Sequence, residues 1–267
     1  MKLMYFHRPD SVAAAVALAA QHSEDKLLAG GQSLLPTMRL GLAAPHGLID
    51  LGGVKEMRGI CIDGEQVVIG ATTTHAEVAA SPEVRQRIPA LADLAGQIGD
   101  RQVRNRGTLG GSLAHNDPAG CYPAAALALG ATIRTNRRSI AADDFFQGLY
   151  TTALEPDELI VSVSFPAPLK AAWVKFRQAA SRFSLVGVFL ARTRDGVRLA
   201  VTGAGLDGVF RASALETALS ADFSPAAARA VTVSAQGLAS DLHASAEYRA
   251  HLIPELTARA VVACSAG

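Results

Sequence analysis

Cysteine is scarce in this chain. The 267 residues hold three, Cys61, Cys121 and Cys264, and no two stand in a C-x-x-C spacing. A cysteine-ligated zinc site, an iron–sulfur cluster or a disulfide framework needs closer or more numerous thiols, so none is expected on this chain. Free thiols of this kind suit a reducing, cytoplasmic setting. An excess of one charge is lacking too, since 25 Lys and Arg stand against 24 Asp and Glu. That balance removes the electrostatic case for nucleic acid or an anionic membrane surface as partner. Long apolar runs are also missing. The purely apolar stretch at 12–20 falls far short of the roughly 20 residues that cross a bilayer, so no membrane span is expected. Lys2 and Arg8 before it give the outline of a signal peptide, but Pro9 and Asp10 interrupt the junction, and export is not expected.

What is present is an alternation of strand and helix signals. Residues 4–6 read as extended, 11–21 as an alanine-rich helix capped by Asp10 or Ser11, 26–29 as a short strand and 48–49 as a third. That is a small α/β unit, lobe one, assigned to 1–57. The β-branched run at 67–71 is followed by Thr74, His75, Ala76 and Glu77, the spacing of a capping box, so a strand passes into a helix at Thr74. Helices expected at 90–98 and 123–130, with a strand at 131–134, complete lobe two over 58–166. Phe165, Pro166, Ala167 and Pro168 disfavour helix on both sides and mark a boundary. Beyond it, 167–267 offers extended runs at 184–191 and 197–201 and helical periods at 211–219, 224–238 and 245–264, a smaller α+β domain.

Two segments carry phosphate-binding chemistry. Ala29, Gly30, Gly31, Gln32, Ser33 and Leu34 place paired glycines just after a strand. Paired glycines let backbone amides converge in a concave nest with no Cβ in an anion's way, and Ser33 adds a hydroxyl. Thr108, Leu109, Gly110, Gly111 and Ser112 repeat the device. Either segment alone is more often an ordinary turn, but two loops of the same donor chemistry suit the two phosphates of a dinucleotide. His115 and Asp117 offer an acid–base pair, although a histidine beside a proline turn is more often structural. Arg101, Arg104 and Arg106 read as a solvated face or a partner contact in a polar loop. No catalytic residue and no set of metal ligands is expected.

Gly203, Gly205 and Gly208 match G-x-G-x-x-G after a strand signal, which keeps an NAD-binding reading open. Too little chain follows, however, for the several parallel strands of a full dinucleotide fold, and the acidic candidate Asp222 precedes a helical stretch instead of ending a strand.

Three runs, AGGQSLLPTMRL at 29–40, GATTTHAEVAASP at 70–82 and VRNRGTLGGSLAHNDPAGCYPAAALALGA at 103–131, resemble the FAD-binding medium subunit of the xanthine dehydrogenase and carbon monoxide dehydrogenase family of molybdenum hydroxylases. The resemblance continues through Glu155 to Ile160, the run at 183–189, and Ser245, Ala246, Glu247, Tyr248 and Arg249. It implies an α+β fold: a two-lobed FAD-binding domain of the vanillyl-alcohol-oxidase type over 1–166, then a C-terminal flavoprotein domain of the CO dehydrogenase type.

The resemblance also implies non-covalent FAD, with residues 29–34 and 108–112 toward its pyrophosphate and adenosine half and Asp117 near the ribityl and phosphate portion. Ile160, Lys175 and Phe183 match positions near the isoalloxazine, Phe183 standing where some relatives have tyrosine. Two companions are implied: a large subunit with the molybdenum–pterin cofactor and a small one with two 2Fe–2S clusters, arranged as a dimer of heterotrimers. Electrons would pass from the clusters to this chain and on to an external acceptor. A free-standing flavin oxidoreductase of the same fold and a stand-alone flavin-binding protein are the other readings open to the sequence.

Overall fold

The computed structural model describes residues 4–266. The chain opens with β1 (Tyr5–His7), α1 (Val12–Gln21), β2 (Lys26–Leu28), α2 (Leu34–Arg39) and β3 (Gly47–Asp50). β1 and β2 both run parallel to the central β3. Ser11 starts α1 by accepting the Ala14 amide at 3.3 Å, and Ala15 and Ile49 are fully buried between that helix and the sheet.

A second sheet follows. Its strands are β4 (Ile60–Asp63), β5 (Gln66–Gly70), β6 (Thr132–Thr135), β7 (Ser139–Ala141) and, after the small hairpin β8 (Phe146–Gly148) and β9 (Thr151–Thr152), β10 (Ile160–Pro166). They pair antiparallel in the order β4-β5-β10-β6-β7. Helices α3 (His75–Ala80), α4 (Pro82–Arg87), α5 (Pro89–Gly96), α6 (Arg101–Arg106), α7 (Leu109–His115), α8 (Tyr122–Leu129) and α9 (Ala142–Phe145) fill the connections. The capping box forms as its spacing predicts: Glu77 N–H donates to Thr74 Oγ1 at 3.3 Å and Thr74 N–H to Glu77 Oε2 at 2.8 Å. Every residue of α8 is buried, as an apolar helix without a polar face must be. Residues 101–106, read as a polar loop, form α6, because Asp100 caps the Val103 amide at 2.8 Å and Arg104 returns to the Ile98 and Gly99 carbonyls.

The last sheet comprises β11 (Lys170–Arg177), β12 (Ser184–Thr193), β13 (Gly196–Gly205) and β14 (Gly208–Arg211), antiparallel in chain order. Alternate side chains of β12 serve two cores. Phe189 and Ala191 join the core that contains α8, while Val188 and Leu190 join the core formed with α10 (Ser213–Ala221), α11 (Pro225–Ala230) and α12 (Ala246–Ala266). A strand covered on both faces explains the unbroken apolar run that marks it in the sequence.

The helical period at 224–238 ends at Ala230. Beyond it the chain is drawn out by backbone bonds to β13, with Leu206 N–H donating to the Gly237 carbonyl and Ala239 N–H to that of Ala204. The G-x-G-x-x-G segment is a hairpin, since Gly205 pairs with Gly208 across Leu206 and Asp207 and a strand follows instead of a helix. That geometry overturns the NAD-binding reading, which needs a helix N-terminus after the glycines. Among the described residues no helix is long and apolar enough to cross a membrane.

Candidate functional site

The first glycine segment lies between β2 and α2, and it is open. Among the described residues, none of the N–H groups of Gly30, Gly31, Gln32 and Ser33 donates to a protein acceptor. Gly31 has φ +71°, the left-handed region that favours glycine, so consecutive amides turn toward one side. Gln32 folds its side-chain amide back to the Gly30 carbonyl at 3.3 Å. Ala29 and Gly30 are half-buried, Gln32 and Ser33 exposed, and Leu34 begins α2.

The second glycine pair is a different object. Residues 109–115 form α7, and the amides of its first turn are engaged: Leu109 N–H with the Thr73 carbonyl, Gly110 N–H with that of Ala71, Gly111 N–H with Thr108 Oγ1 at 3.2 Å, and Ser112 N–H with the Thr108 carbonyl. A nest of free amides was expected at 108–112, and a capped helix start stands there instead. Thr108 prefers the N-cap, and burial of Leu109 fixes the helix against the core. Gly110 is required by packing, for a Cβ there would sit 2.5 Å from that of Ala71. Gly111 and Ser112 remain part-exposed.

The two segments touch. A Cβ on Gly30 would lie 2.6 Å from Gly107 Cα, and one on Gly111 would lie 3.5 Å from Ala29 Cβ. Beneath this contact sits His75, whose backbone N–H donates to the Gly107 carbonyl at 2.9 Å. Burial, and after it the positive charge of Arg104, pushes the His75 imidazole down to about 4, so it is neutral at physiological pH.

Asp117 and Phe183 line one cavity of about 500 Å³, together with Leu149, Gly203 and Arg249. Asp117 is set by its own turn, Oδ1 accepting the Ala119 amide at 2.8 Å. That turn is gripped from the C-terminal sheet, where Gly203 N–H donates to the Pro118 carbonyl at 2.7 Å and the Thr202 hydroxyl lies 2.9 and 2.7 Å from the Pro118 and Gly120 carbonyls. Phe183 is 53% exposed at the tip between β11 and β12. Lys175 stands apart from the cavity lining, its Nζ donating to the Gln97 carbonyl at 3.3 Å and to Cys121 Sγ at 3.4 Å. Cys121 Sγ in turn lies 3.5 Å from the Ser184 hydroxyl, which does line the cavity. Ile160 is buried at the start of β10, its strand pairing with Thr135.

His115 and Asp117 do not pair. The His115 ring lies 5.1 Å from that of Tyr150, whose hydroxyl is held above its ordinary range by partial burial and then by the Asp117 carboxylate. Two residues of this region escaped the sequence reading. Thr202 is fully buried, and Arg249, 2% exposed, reaches from α12 to the Leu185 and Gly203 carbonyls at 2.6 Å each and to Asp241 at 2.7 Å. The signal for Arg249 was an arginine in register with the buried face of an amphipathic helix, shared with Ile253, Leu256 and Ala260.

A glycine loop with free amides packed on a second glycine segment has the donor chemistry of a dinucleotide site, and a separate cavity lined by Asp117 and Phe183 lies against the C-terminal sheet; together they suit a flavin-dinucleotide-binding protein. Residues 2–168 match the family described as the FAD binding domain in molybdopterin dehydrogenase, and the chain belongs to that family as the FAD-binding medium subunit of a molybdenum hydroxylase, an oxidoreductase. It is 36% identical to the carbon monoxide dehydrogenase medium chain of Hydrogenophaga pseudoflava, over 96% of this chain and 95% of that one. It is 39% identical to the nicotine 6-hydroxylase medium subunit of Paenarthrobacter nicotinovorans, over 97% and 96%. The structure of the Hydrogenophaga pseudoflava carbon monoxide dehydrogenase that lacks the Mo-pyranopterin moiety of its molybdenum cofactor superposes with a TM-score of 0.89, at 38% identity, covering 98% of this chain and 97% of that one.

The residues present fit FAD. Free amides at 30–33 suit a pyrophosphate, the absence of a side chain at Gly30 lets the loop close on Gly107, and a cavity lined by both the apolar Phe183 and the acidic Asp117 suits a ring with a polyol tail.

Proposed function

We propose that this chain is the electron-relay subunit of its complex, receiving electrons from 2Fe–2S clusters on a small partner subunit and delivering them to an external acceptor. The organic substrate is oxidised on a large molybdenum–pterin subunit, and the assembly is a dimer of heterotrimers in the cytoplasm. The observation that carries the reading is the row of unpartnered amides at Gly30, Gly31, Gln32 and Ser33 against α7. Within this reading, residues 29–34 and the exposed face of 108–112 hold the pyrophosphate and adenosine half of a non-covalent FAD. Bound FAD supplies the interchange of single-electron and two-electron transfer. Asp117 would orient the polyol portion and Phe183, exposed at the cavity, would shield the ring from water; Ile160 and Lys175 belong to the ring's surroundings by resemblance alone, since neither lines that cavity. The division into lobe one at 1–57, lobe two at 58–166 and a C-terminal domain at 167–267 belongs to the same proposal; the three sheets, 5–50, 60–166 and 170–211, support it.

Reconstitution tests it. Substrate-dependent bleaching of the flavin is compared for the chain alone and with its molybdenum and iron–sulfur companions. The relay reading expects bleaching only in the assembled complex, and turnover by the isolated chain at the same rate would replace it with a free-standing flavin oxidoreductase.

A further inference from the structure

At the opposite end of β2 from the glycine loop, three side chains from distant elements converge. His7 closes β1, His22 follows the last residue of α1, and Asp25 stands just before β2, its amide bonded to the His22 carbonyl at 2.9 Å. The two imidazoles stack with centroids 4.9 Å apart and planes 20° from parallel. One ligand atom from each of the three residues lies within 4.8 Å of the others.

The polar atoms at the centre are unsatisfied. His7 Nε2 and Asp25 Oδ2 are both buried without a hydrogen-bond partner, and the 3.7 Å between them is too long for such a bond. The Asp25 side chain is only 3% exposed. Gly47 makes the room for it, since a Cβ there would stand 2.5 Å from Asp25 Oδ2. A buried carboxylate facing an imidazole nitrogen, each with an idle lone pair, is costly unless something positive lies between them. A protonated His7 would lessen the cost, but it leaves the stacked His22 without a role.

We propose that His7, His22 and Asp25 bind one divalent transition metal of the zinc class, with a fourth position open to water. Two imidazoles and a carboxylate select a borderline cation over magnesium or calcium, which take oxygen ligands. A tetrahedral centre with bonds of about 2.0–2.1 Å spaces its ligand atoms roughly 3.3–3.4 Å apart, so side-chain shifts on the order of 1 Å close the site. The metal would tie β1, the end of α1 and the start of β2 together, stapling a three-stranded unit whose own core is small. The three positions match no zinc spacing along the chain, and the sequence reading, which weighed cysteine patterns, expected no metal ligands.

The test uses the full-length chain without an affinity tag, stripped by chelator and titrated with Zn²⁺ and with Co²⁺. One equivalent of Zn²⁺ should bind and raise the melting temperature, and Co²⁺ should give the visible absorption of a four-coordinate site. His22→Ala, at an exposed ring that folding does not need, and Asp25→Asn should each weaken Zn²⁺ by at least about tenfold, while His46→Ala, outside the cluster, keeps it. Equal uptake by the parent and His22→Ala overturns the proposal, as does the absence of a saturable single equivalent, or uptake lost in His46→Ala and kept in His22→Ala.

Discussion

Gly30 faces the backbone of Arg106 and Gly107 so closely that a Cβ at residue 30 would collide with the Arg106 carbonyl. The glycine-rich loop after β2 and the segment leading into α7 are thereby one surface, although 75 positions separate them (106 less 30 leaves 76, with 75 residues between).

Enlarging either glycine of the first pair should therefore release FAD. Gly30→Ala pushes the loop off Gly107, and Gly31→Val forces a β-branched residue into φ +71°. Losing one or two charge-assisted amide bonds corresponds to about 10- to 100-fold weaker FAD. Fluorescence titration measures it, with Gly96→Ala as the control, since a Cβ there meets only Ala79 at 3.9 Å. Gly205→Val would be a poor control because its Cβ would strike the Gly208 carbonyl and Phe210. Comparable weakening in Gly96→Ala would assign the effect to misfolding.

Thr202→Val removes the hydroxyl that serves the Pro118 and Gly120 carbonyls while keeping the shape of the side chain. Leaving those acceptors short should cost about 1–3 kcal/mol in urea unfolding. The same variant should bind FAD more weakly, because the turn carrying Asp117 loses its grip. Unchanged affinity with lowered stability would separate that turn from the flavin site.

Much of the fold is legible in the sequence where the code is local. The capping box at Thr74 and Glu77 is a local code, written in four residues, and it folds as written. The start of α7 was misread because paired glycines say where a chain can bend, but not whether their amides are already used. Thr73 and Ala71, whose carbonyls use them, lie more than thirty residues earlier in the chain. The end of α11 was misread because the alanine-rich period at 224–238 competes with backbone pairing to β13, a contact invisible to any short window. Arg249 and Thr202 escaped for the same reason: each acts on carbonyls tens of residues away.

Acid should weaken the fold in two windows. His75 is pushed down to about 4 from 6.5, so the unfolded chain takes up its proton first. Its contribution is complete above about 6.5, and about 3 kcal/mol of it is lost as the pH falls toward 4. In His75→Gln the urea midpoint should vary less between pH 7 and 4 than in the parent. An identical slope in both would exclude the buried imidazole as its source.

Glu158 acts lower on the scale. Hydrogen bonds from Arg138 first, then from the Glu155 amide and Thr135, hold its carboxyl at about 2 against burial, which opposes them. Because the folded value lies below the ordinary 4.5, the stabilisation is present above that pH and lost as acid approaches 2. Glu158→Gln leaves Arg138 and Thr135 with a weaker acceptor and should cost about 1–2 kcal/mol at pH 7, since the guanidinium is half exposed and solvent screens the pair. The deficit should shrink toward pH 2, and a constant deficit would mean that shape, not charge, holds the site.

The bonds from Arg249 to the Leu185 and Gly203 carbonyls also impose a timetable on biosynthesis. β12 and β13 emerge from the ribosome some 45 to 65 residues before the guanidinium that completes them (249 less 203 is 46, and 249 less 185 is 64). Until α12 follows, the cavity wall carries two carbonyls without their donor, and the nascent protein has its glycine loop finished but the cavity of Asp117 and Phe183 unfinished. On the proposed placement of FAD, capture during synthesis would begin at the phosphate end, and a stall before residue 249 would leave a chain that recognises half of its cofactor.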